Sequence, residues 1–151
     1  MTRTALLDVN LLLALFDSEH VHHEIAHDWF ADDGSAGWAT CSVTESGLVR
    51  LLTNPGYVGA VIRPVEAVER LRAFCASGHH VFWDRSISLR DESLFEPALI
   101  RGHRQITDIY LLGLAMAMGG RLATLDHHIP LGAVVGATPD ALAVIGPADS
   151  E

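Results

Sequence analysis

Lysine is absent from the sequence, so all ten basic residues are arginine, and they stand against 19 acidic residues for a net charge of −9. A chain of that sign does not hold nucleic acid through backbone charge alone, so a nucleic-acid substrate would require a metal ion or a local arginine patch. Receiver-type signalling domains and haloacid-dehalogenase-like phosphatases use a catalytic lysine, and P-loop enzymes need a Gly-Lys-Ser/Thr segment. The sequence therefore excludes these three classes.

Cysteine and long apolar runs are also scarce. The only cysteines, Cys41 and Cys75, are far apart and outside any CxxC pattern, which predicts neither a disulfide framework nor a thiolate zinc site. Asp8 and Asn10 interrupt the apolar start of the chain, and the run 109–119 is too short to cross a bilayer. We therefore expect a cytoplasmic protein without a signal peptide or membrane segment.

Strand-like and helix-like runs alternate along the chain, which is typical of a central parallel sheet flanked by helices in an α/β/α arrangement. Short apolar runs predict strands at about 4–7, 37–41, 80–83, 122–125 and 141–145. Periodicity, caps and stop signals predict helices at about 9–16, 22–31, 42–52, 64–75, 91–100 and 107–118. The 151 residues, 49% of them hydrophobic, predict one α/β domain over 1–147 and a short tail over 148–151.

Four acidic residues occupy positions where such a layout places functional sites. Asp8 and Asp126 directly follow apolar strands, whereas Glu45 and Asp108 fall in the first turns of helices. We expect the four side chains to converge at the carboxyl edge of the sheet, where ligands bind in open α/β folds. Clustered carboxylates raise one another's pKa unless a cation offsets their charge. Oxygen ligands of this kind favour Mg²⁺ or Mn²⁺ over zinc.

Structural explanations compete with a site for two of the four acids. The segment 42–45, SVTE, matches a capping box in which the glutamate bonds the start of the helix. Asp108 can be a first-turn acid favoured by the helix dipole. No such explanation covers Asp8 and Asp126, because an unpaired carboxylate beside an apolar strand is unfavourable. The metal site is therefore predicted from the convergence of all four, with Asp8 and Asp126 as its anchors.

The segments around these acids together resemble the PIN-domain ribonucleases, and within them the VapC toxins of toxin–antitoxin pairs. The resemblance covers nearly the whole chain. Its segments are Leu6-Leu7-Asp8-Val9-Asn10, Ser42-Val43-Thr44-Glu45, Ile106-Thr107-Asp108-Ile109 and Ala123-Thr124-Leu125-Asp126. Each segment is weak alone, and the combination is specific.

The resemblance implies a single PIN-like domain that hydrolyses RNA phosphodiester bonds with a metal-activated water, leaving a 5′-phosphate and a 3′-hydroxyl. The implied catalytic residues are Asp8, Glu45, Asp108 and Asp126. Asp8, Asp108 and Asp126 would bind Mg²⁺ or Mn²⁺, and Glu45 would orient or activate the attacking water. Asn10, Thr44 and Thr124 would stand behind the ligands or face the substrate.

Partners also follow from the resemblance. VapC toxins pair with a small DNA-binding antitoxin, here a VapB-like protein, whose C-terminal segment wraps the toxin and inserts a basic side chain among the carboxylates. A net charge of −9 is compatible with a basic partner. The resemblance further implies a homodimer. Two alternatives stay open: a catalytically inactive PIN-fold interaction module, and a DNA-directed nuclease of the same fold.

Histidine and arginine clusters have both structural and functional interpretations. The clustered histidines are His20, His22, His23 and His27, then His79-His80 and His127-His128. Zinc-binding pairs also stand four residues apart on one helix face, but the more common role is a polar surface. The arginines of the third quarter are Arg85, Arg90, Arg101 and Arg104. They can form a phosphate-binding rim, although solvated surface arginines are the default.

Overall fold

Five short parallel strands form a single sheet in the computed structural model, which describes residues 3–57 and 61–147. The strands are β1 (Ala5–Leu7), β2 (Trp38–Thr40), β3 (His80–Phe82), β4 (Arg121–Thr124) and β5 (Leu142–Val144). The five predicted strands and their parallel arrangement are confirmed. The predicted tail over 148–151 lies outside the described residues.

The order of the strands across the sheet is β3-β2-β1-β4-β5. The chain adds β2 and β3 on one side of β1, then crosses over to add β4 and β5 on the other side. The direction of winding therefore reverses between β1 and β4, and such a reversal opens a crevice at the carboxyl ends of the two strands. Leu7 pairs with Ala123 across this seam, so the residues that follow both strands reach the same crevice.

Five helices connect the strands within the described residues. They are α1 (Val9–Phe16), α2 (His23–Asp32), α3 (Ser42–Leu52), α4 (Pro64–Cys75) and α5 (Ile106–Ala117). Pro64 is in the first turn of α4, where a backbone N–H has no partner within the helix, so proline costs no hydrogen bond there. No helix in the described part of the chain is long and apolar enough to cross a membrane.

Two apolar cores lie on opposite faces of the sheet, because alternate residues of a strand point to opposite sides. Leu7 and Trp38 belong to the core that contains buried residues of α1, α2, α3 and α4. Leu6 belongs to the second core, with α5 and Phe95. A Cβ at Gly113 of α5 would overlap the Phe95 ring, so glycine permits this contact. Helices therefore cover both faces, as the α/β/α prediction requires.

The predicted helix at 91–100 is wrong. This segment contains turns and a single 3-10 turn at Pro97–Leu99. Asp91 Oδ1 accepts hydrogen bonds from the Ser93 N–H at 2.9 Å and from its hydroxyl at 2.6 Å, and such local side-chain bonds compete with helix formation. Pro97 also lacks the N–H that a helix interior needs. Phe95 forms an antiparallel bridge with Val134 and anchors the segment in the core.

Two residues of the histidine cluster serve the end of α1. His23 Nδ1 lies 2.7 Å from the Ala14 carbonyl oxygen, and His27 Nε2 lies 3.0 Å from that of Leu15. Carbonyls in the last turn of a helix have no partner within the helix and take one from a side chain or water. The contacts of this pair therefore support its structural interpretation.

Candidate active site

Asp8 lies in the crevice between β1 and β4. It is 2% exposed and forms the N-cap of α1, where its Oδ1 accepts a hydrogen bond from the Val9 N–H at 2.7 Å. Its Oδ2 accepts a hydrogen bond from the hydroxyl of Thr124, at the end of β4, at 2.7 Å. Each oxygen of this buried carboxylate therefore has one donor, the first from the residue after Asp8 and the second from the end of β4.

Asp108 and Asp126 complete a group of three carboxylates with Asp8, which we call the aspartate group. Asp108 stands in the first turn of α5, and its carboxyl is within hydrogen-bonding reach of both Asp8 and Asp126. Asp126 follows β4, where its N–H donates to Thr124 Oγ1 at 3.0 Å and its Oδ1 accepts from the His128 N–H at 2.8 Å. Three elements that are distant in sequence therefore meet at one point.

The proximity of these carboxyl groups changes their acidity. Burial raises the pKa of Asp8, although hydrogen bonds from Thr124 and Val9 oppose the shift. Burial, followed by the charge of Asp8, raises the pKa of Asp108 to about 8. Without a cation, Asp108 therefore retains its proton at neutral pH. A divalent cation that prefers oxygen ligands fits this donor set, because its charge would offset the repulsion that the pKa values report.

Two of the three predicted polar residues support the aspartate group. Thr124 is fully buried and bonds both Asp8 and the backbone of Asp126. Asn10 Oδ1 accepts a hydrogen bond from the Leu125 N–H at 3.3 Å. Asn10 thereby ties α1 to the segment that carries Asp126.

Thr44, the third predicted polar residue, is used to start α3. The capping box is shifted by one residue from the prediction, with Cys41 as N-cap and Thr44 three positions later. The Thr44 hydroxyl accepts from the Cys41 N–H at 2.9 Å and donates to the Cys41 carbonyl oxygen at 3.1 Å. Thr44 is fully buried, so it holds the helix rather than facing a substrate.

Glu45 is held apart from the aspartate group. Its Oε2 accepts a hydrogen bond from the Thr40 hydroxyl at 2.6 Å, and it lies beside Cys75 and His80. It takes no part in the shifted capping box. The structure thus brings together three of the four predicted acids, and the catalytic role of Glu45 stays a prediction.

A pocket of about 610 Å³ opens over Asp8 and Asp108. Its walls are mostly apolar and include Val43 of α3 and Tyr57. Arg50 also lines it, and this residue was not among those predicted from the sequence. The available signal was helical spacing, because positions 43, 47 and 50 of α3 share one face.

The arginines predicted from the sequence lie elsewhere, whereas one histidine candidate adjoins the aspartate group. The arginines predicted as a possible phosphate rim, Arg85, Arg90, Arg101 and Arg104, are exposed, and none belongs to this pocket as the described residues form it. Beside Asp126, His127 Nε2 is buried and finds no hydrogen-bond partner within the described residues.

A family model described as PIN domain matches residues 5–133. The chain belongs to the PIN domain family. Ribonuclease VapC44 of Mycobacterium tuberculosis is 40% identical over 141 residues, which cover 93% of this chain and 99% of that protein. Ribonuclease VapC38 of the same organism is 44% identical over 125 residues, or 83% of this chain and 86% of that protein. The chain is thus a member of the VapC ribonucleases within the PIN domain family, and the resemblance read from the motifs is confirmed.

The fold of the chain is also similar to a solved structure of this family. The crystal structure of M. tuberculosis VapC20, described as a sarcin–ricin loop cleaving toxin, matches with a TM-score of 0.60. The match covers 90% of this chain and 100% of that chain at 14% identity. At that identity the likeness concerns the fold alone, and it confirms the predicted PIN architecture.

The raised pKa of Asp108 predicts a pH-dependent stability of the metal-free protein. The folded state holds this proton up to about pH 8, whereas the unfolded chain releases it near the ordinary value of 3.8. Stability should therefore fall as pH rises from about 4 to 8. Asp108→Asn removes this ionisation, so we expect the variant to gain roughly 1–2 kcal/mol over the native chain at pH 8, after allowance for solvent screening.

Urea unfolding of the EDTA-treated proteins at pH 5 and pH 8 measures this difference. Asp84→Asn is the matched control, because it removes an exposed carboxylate and should change neither value appreciably. If the free energy of unfolding depended equally on pH in Asp108→Asn and in the native chain, the raised pKa of Asp108 would be contradicted.

Proposed function

We propose that this PIN-domain protein is an endoribonuclease that requires Mg²⁺ or Mn²⁺ and acts in the cytoplasm as the toxin of a toxin–antitoxin pair. The observation that carries the proposal is the meeting of Asp8, Asp108 and Asp126 at the switch point of the sheet. Its support in sequence is the 40% identity with ribonuclease VapC44 over nearly the whole chain.

In this proposal Asp8, Asp108 and Asp126 hold the cation. A bound divalent cation supplies positive charge that stabilises the phosphoryl transition state and makes water a stronger nucleophile. The Val9 N–H and the Thr124 hydroxyl each occupy one oxygen of Asp8, so the carboxylate keeps a fixed orientation toward the cation. Asn10 and Thr124 act as positioning residues.

The pocket provides the contacts that a single RNA strand needs. Arg50 would bind a phosphate oxygen of the substrate, because a guanidinium donates two hydrogen bonds in a fixed geometry. Tyr57 is 64% exposed at the pocket wall and would stack on an unpaired base. Apolar residues of α1 and α3 exclude water around the reacting phosphate. Arg50 is the single basic residue among the described charged residues that line the pocket, beside Asp8 and Asp108. We therefore expect the affinity for the negatively charged RNA to depend on the bound cation.

The two alternatives are separated by direct assays. The inactive interaction module is disfavoured, because all three aspartates are present and Asp108 lies within hydrogen-bonding reach of the other two. RNA is favoured over DNA because the curated relatives are named ribonucleases. RNA and DNA of the same sequence should be assayed side by side, and preferential cleavage of the DNA would overturn the choice of substrate.

Asp8→Asn is expected to lower the rate of RNA cleavage at least about a hundredfold, because it removes a ligand charge from the cation site. The amide oxygen can still accept the bond from the Val9 N–H that caps α1, so the fold should persist. Single-turnover cleavage of a labelled RNA with Mg²⁺ measures the effect, and circular dichroism checks the fold. Asp84→Asn serves as the exposed control. Cleavage that survives both Asp8→Asn and EDTA would refute the metal-dependent mechanism.

Arg50→Gln tests the phosphate contact. We expect KM for RNA to rise about tenfold with a smaller change in kcat, because the guanidinium binds the substrate and does not hold the cation. Arg90→Gln is the matched control, since Arg90 is exposed and outside the pocket lining. A larger effect from Arg90→Gln than from Arg50→Gln would favour the arginine rim predicted from sequence.

The proposed protein partner is a basic VapB-like antitoxin whose C-terminal segment enters the same pocket. The mostly apolar walls suit an apolar segment, and the aspartate group at the base suits a basic side chain. The antitoxin would then block the RNA site by occupying it. A homodimer of the toxin, as the resemblance implies, would carry two such sites.

Tyr57→Ala should weaken the binding of the antitoxin at least about tenfold, because exposed aromatic residues at the wall of a pocket are common binding hot spots. Calorimetric titration with the antitoxin encoded beside the gene measures this affinity, and light scattering of the complex gives its stoichiometry. Phe82→Ala is the control, since Phe82 is 48% exposed on the edge strand β3. Equal losses from the two variants would place the antitoxin elsewhere.

A further inference from the structure

A second group of possible metal ligands lies apart from the aspartate group, and we call it the thiol cluster. It consists of Glu45 in the first turn of α3, Cys75 at the end of α4 and His80 at the start of β3. One ligand atom from each, a carboxylate oxygen, a sulfur and a ring nitrogen, lies within 4.8 Å of the other two. All three side chains are half-buried, so the cluster is accessible to an ion without being freely solvated.

We infer that the thiol cluster binds a divalent cation of borderline softness, Zn²⁺ being the best match. Thiolate, imidazole and carboxylate are the three ligand types that zinc uses in proteins, and three protein ligands leave a fourth position for water. Donor atoms around a tetrahedral zinc ion stand roughly 3.3–3.8 Å apart. The three atoms all lie within 4.8 Å of one another, so the side chains would close on the ion by at most roughly 1–1.5 Å, which half-buried side chains accomplish by small rotations.

Thr40 provides the support that such a site needs. Its buried hydroxyl donates to Glu45 Oε2 at 2.6 Å and lies 2.8 Å from His80 Nε2. On cation binding the hydroxyl can keep its bond to Glu45, which fixes the orientation of the carboxylate from outside the ligand shell. His80 Nε2 would exchange its contact with Thr40 for the cation.

Regular secondary structure and packing fix the backbone around the cluster. His80 pairs with Trp38 in the ladder between β2 and β3, and the two rings are 4.5 Å apart between centroids. Cys75 is five residues before His80, and the link between them turns at Gly78, whose φ is +72°. The ligands thus come from two helix ends and one strand, so a bound ion would join α3, α4 and β3.

Cys75 distinguishes this site from the aspartate group. Burial and the charge of Glu45 raise the pKa of Cys75 to about 11, so the thiol is protonated without a cation and is a poor nucleophile. The protonated thiol can still bind a cation, because metal binding displaces the proton. Mg²⁺ has little affinity for sulfur, so the two sites select different ions.

Cobalt titration of the full-length metal-free chain tests this inference, because Co²⁺ replaces zinc and absorbs in the near-ultraviolet when a thiolate binds it. We expect a thiolate-to-cobalt band at one equivalent and its loss when Zn²⁺ is added. Cys75→Ser should abolish the band, and His80→Gln should weaken Co²⁺ binding at least about tenfold. Circular dichroism of each variant checks that it is folded.

Matched controls are available for both ligands. Cys41→Ser changes the other cysteine, and His79→Gln changes the exposed neighbour of His80; both should keep the band. Asp108→Asn should also keep it, which separates this site from the aspartate group. Absence of the band in the native chain, its survival in Cys75→Ser or its loss in Cys41→Ser would each overturn the inference. None of these readouts depends on RNA cleavage, so the outcome is independent of the proposed function.

Discussion

The buried carboxylate of Asp8 determines the arrangement of the whole carboxyl edge of the sheet. It accepts one bond from the Val9 N–H and one from the Thr124 hydroxyl, so a single side chain starts α1 and joins β1 to β4. A buried carboxylate is stable only when its oxygens have donors and its charge is offset. The donors are supplied by the fold, whereas the charge is left facing Asp108 and Asp126. The contacts that join β1 to β4 therefore also bring together carboxyl groups whose repulsion a cation would offset.

Sequence was sufficient where the determining interactions are local or follow from topology. Asp8 and Asp126 were placed correctly because each ends an apolar strand, and parallel strands share one edge. The segment 91–100 was wrong because its conformation depends on a turn at Asp91 and on the packing of Phe95 against a distant part of the chain. Glu45 could not be placed for a similar reason. Its hydrogen bond to Thr40 and its neighbours on α4 and β3 are tertiary contacts that no spacing along α3 reveals.

Helix α3 connects the two groups of ligands because its successive residues point about 100° apart. Ser46, Gly47 and Arg50 face the pocket over Asp8, whereas Glu45 turns toward β2 and β3. The close approach of Gly47 to Val9, where a Cβ would lie 2.9 Å from the Val9 side chain, fixes how α3 packs on α1. In this orientation of α3, Arg50 lies at the pocket while Glu45 on another face of the helix contacts Thr40.

The position of Glu45 also affects the charge that a phosphodiester meets. Three carboxylates with one divalent cation leave a single net negative charge at the base of the pocket, whereas a fourth carboxylate would leave two. In a medium of reduced dielectric constant, each extra charge near a phosphate is strongly repulsive. Arg50 at the pocket wall can compensate one negative charge but not two. The hydrogen bond from the Thr40 hydroxyl to Glu45 therefore leaves a phosphate at this site facing three carboxylates instead of four.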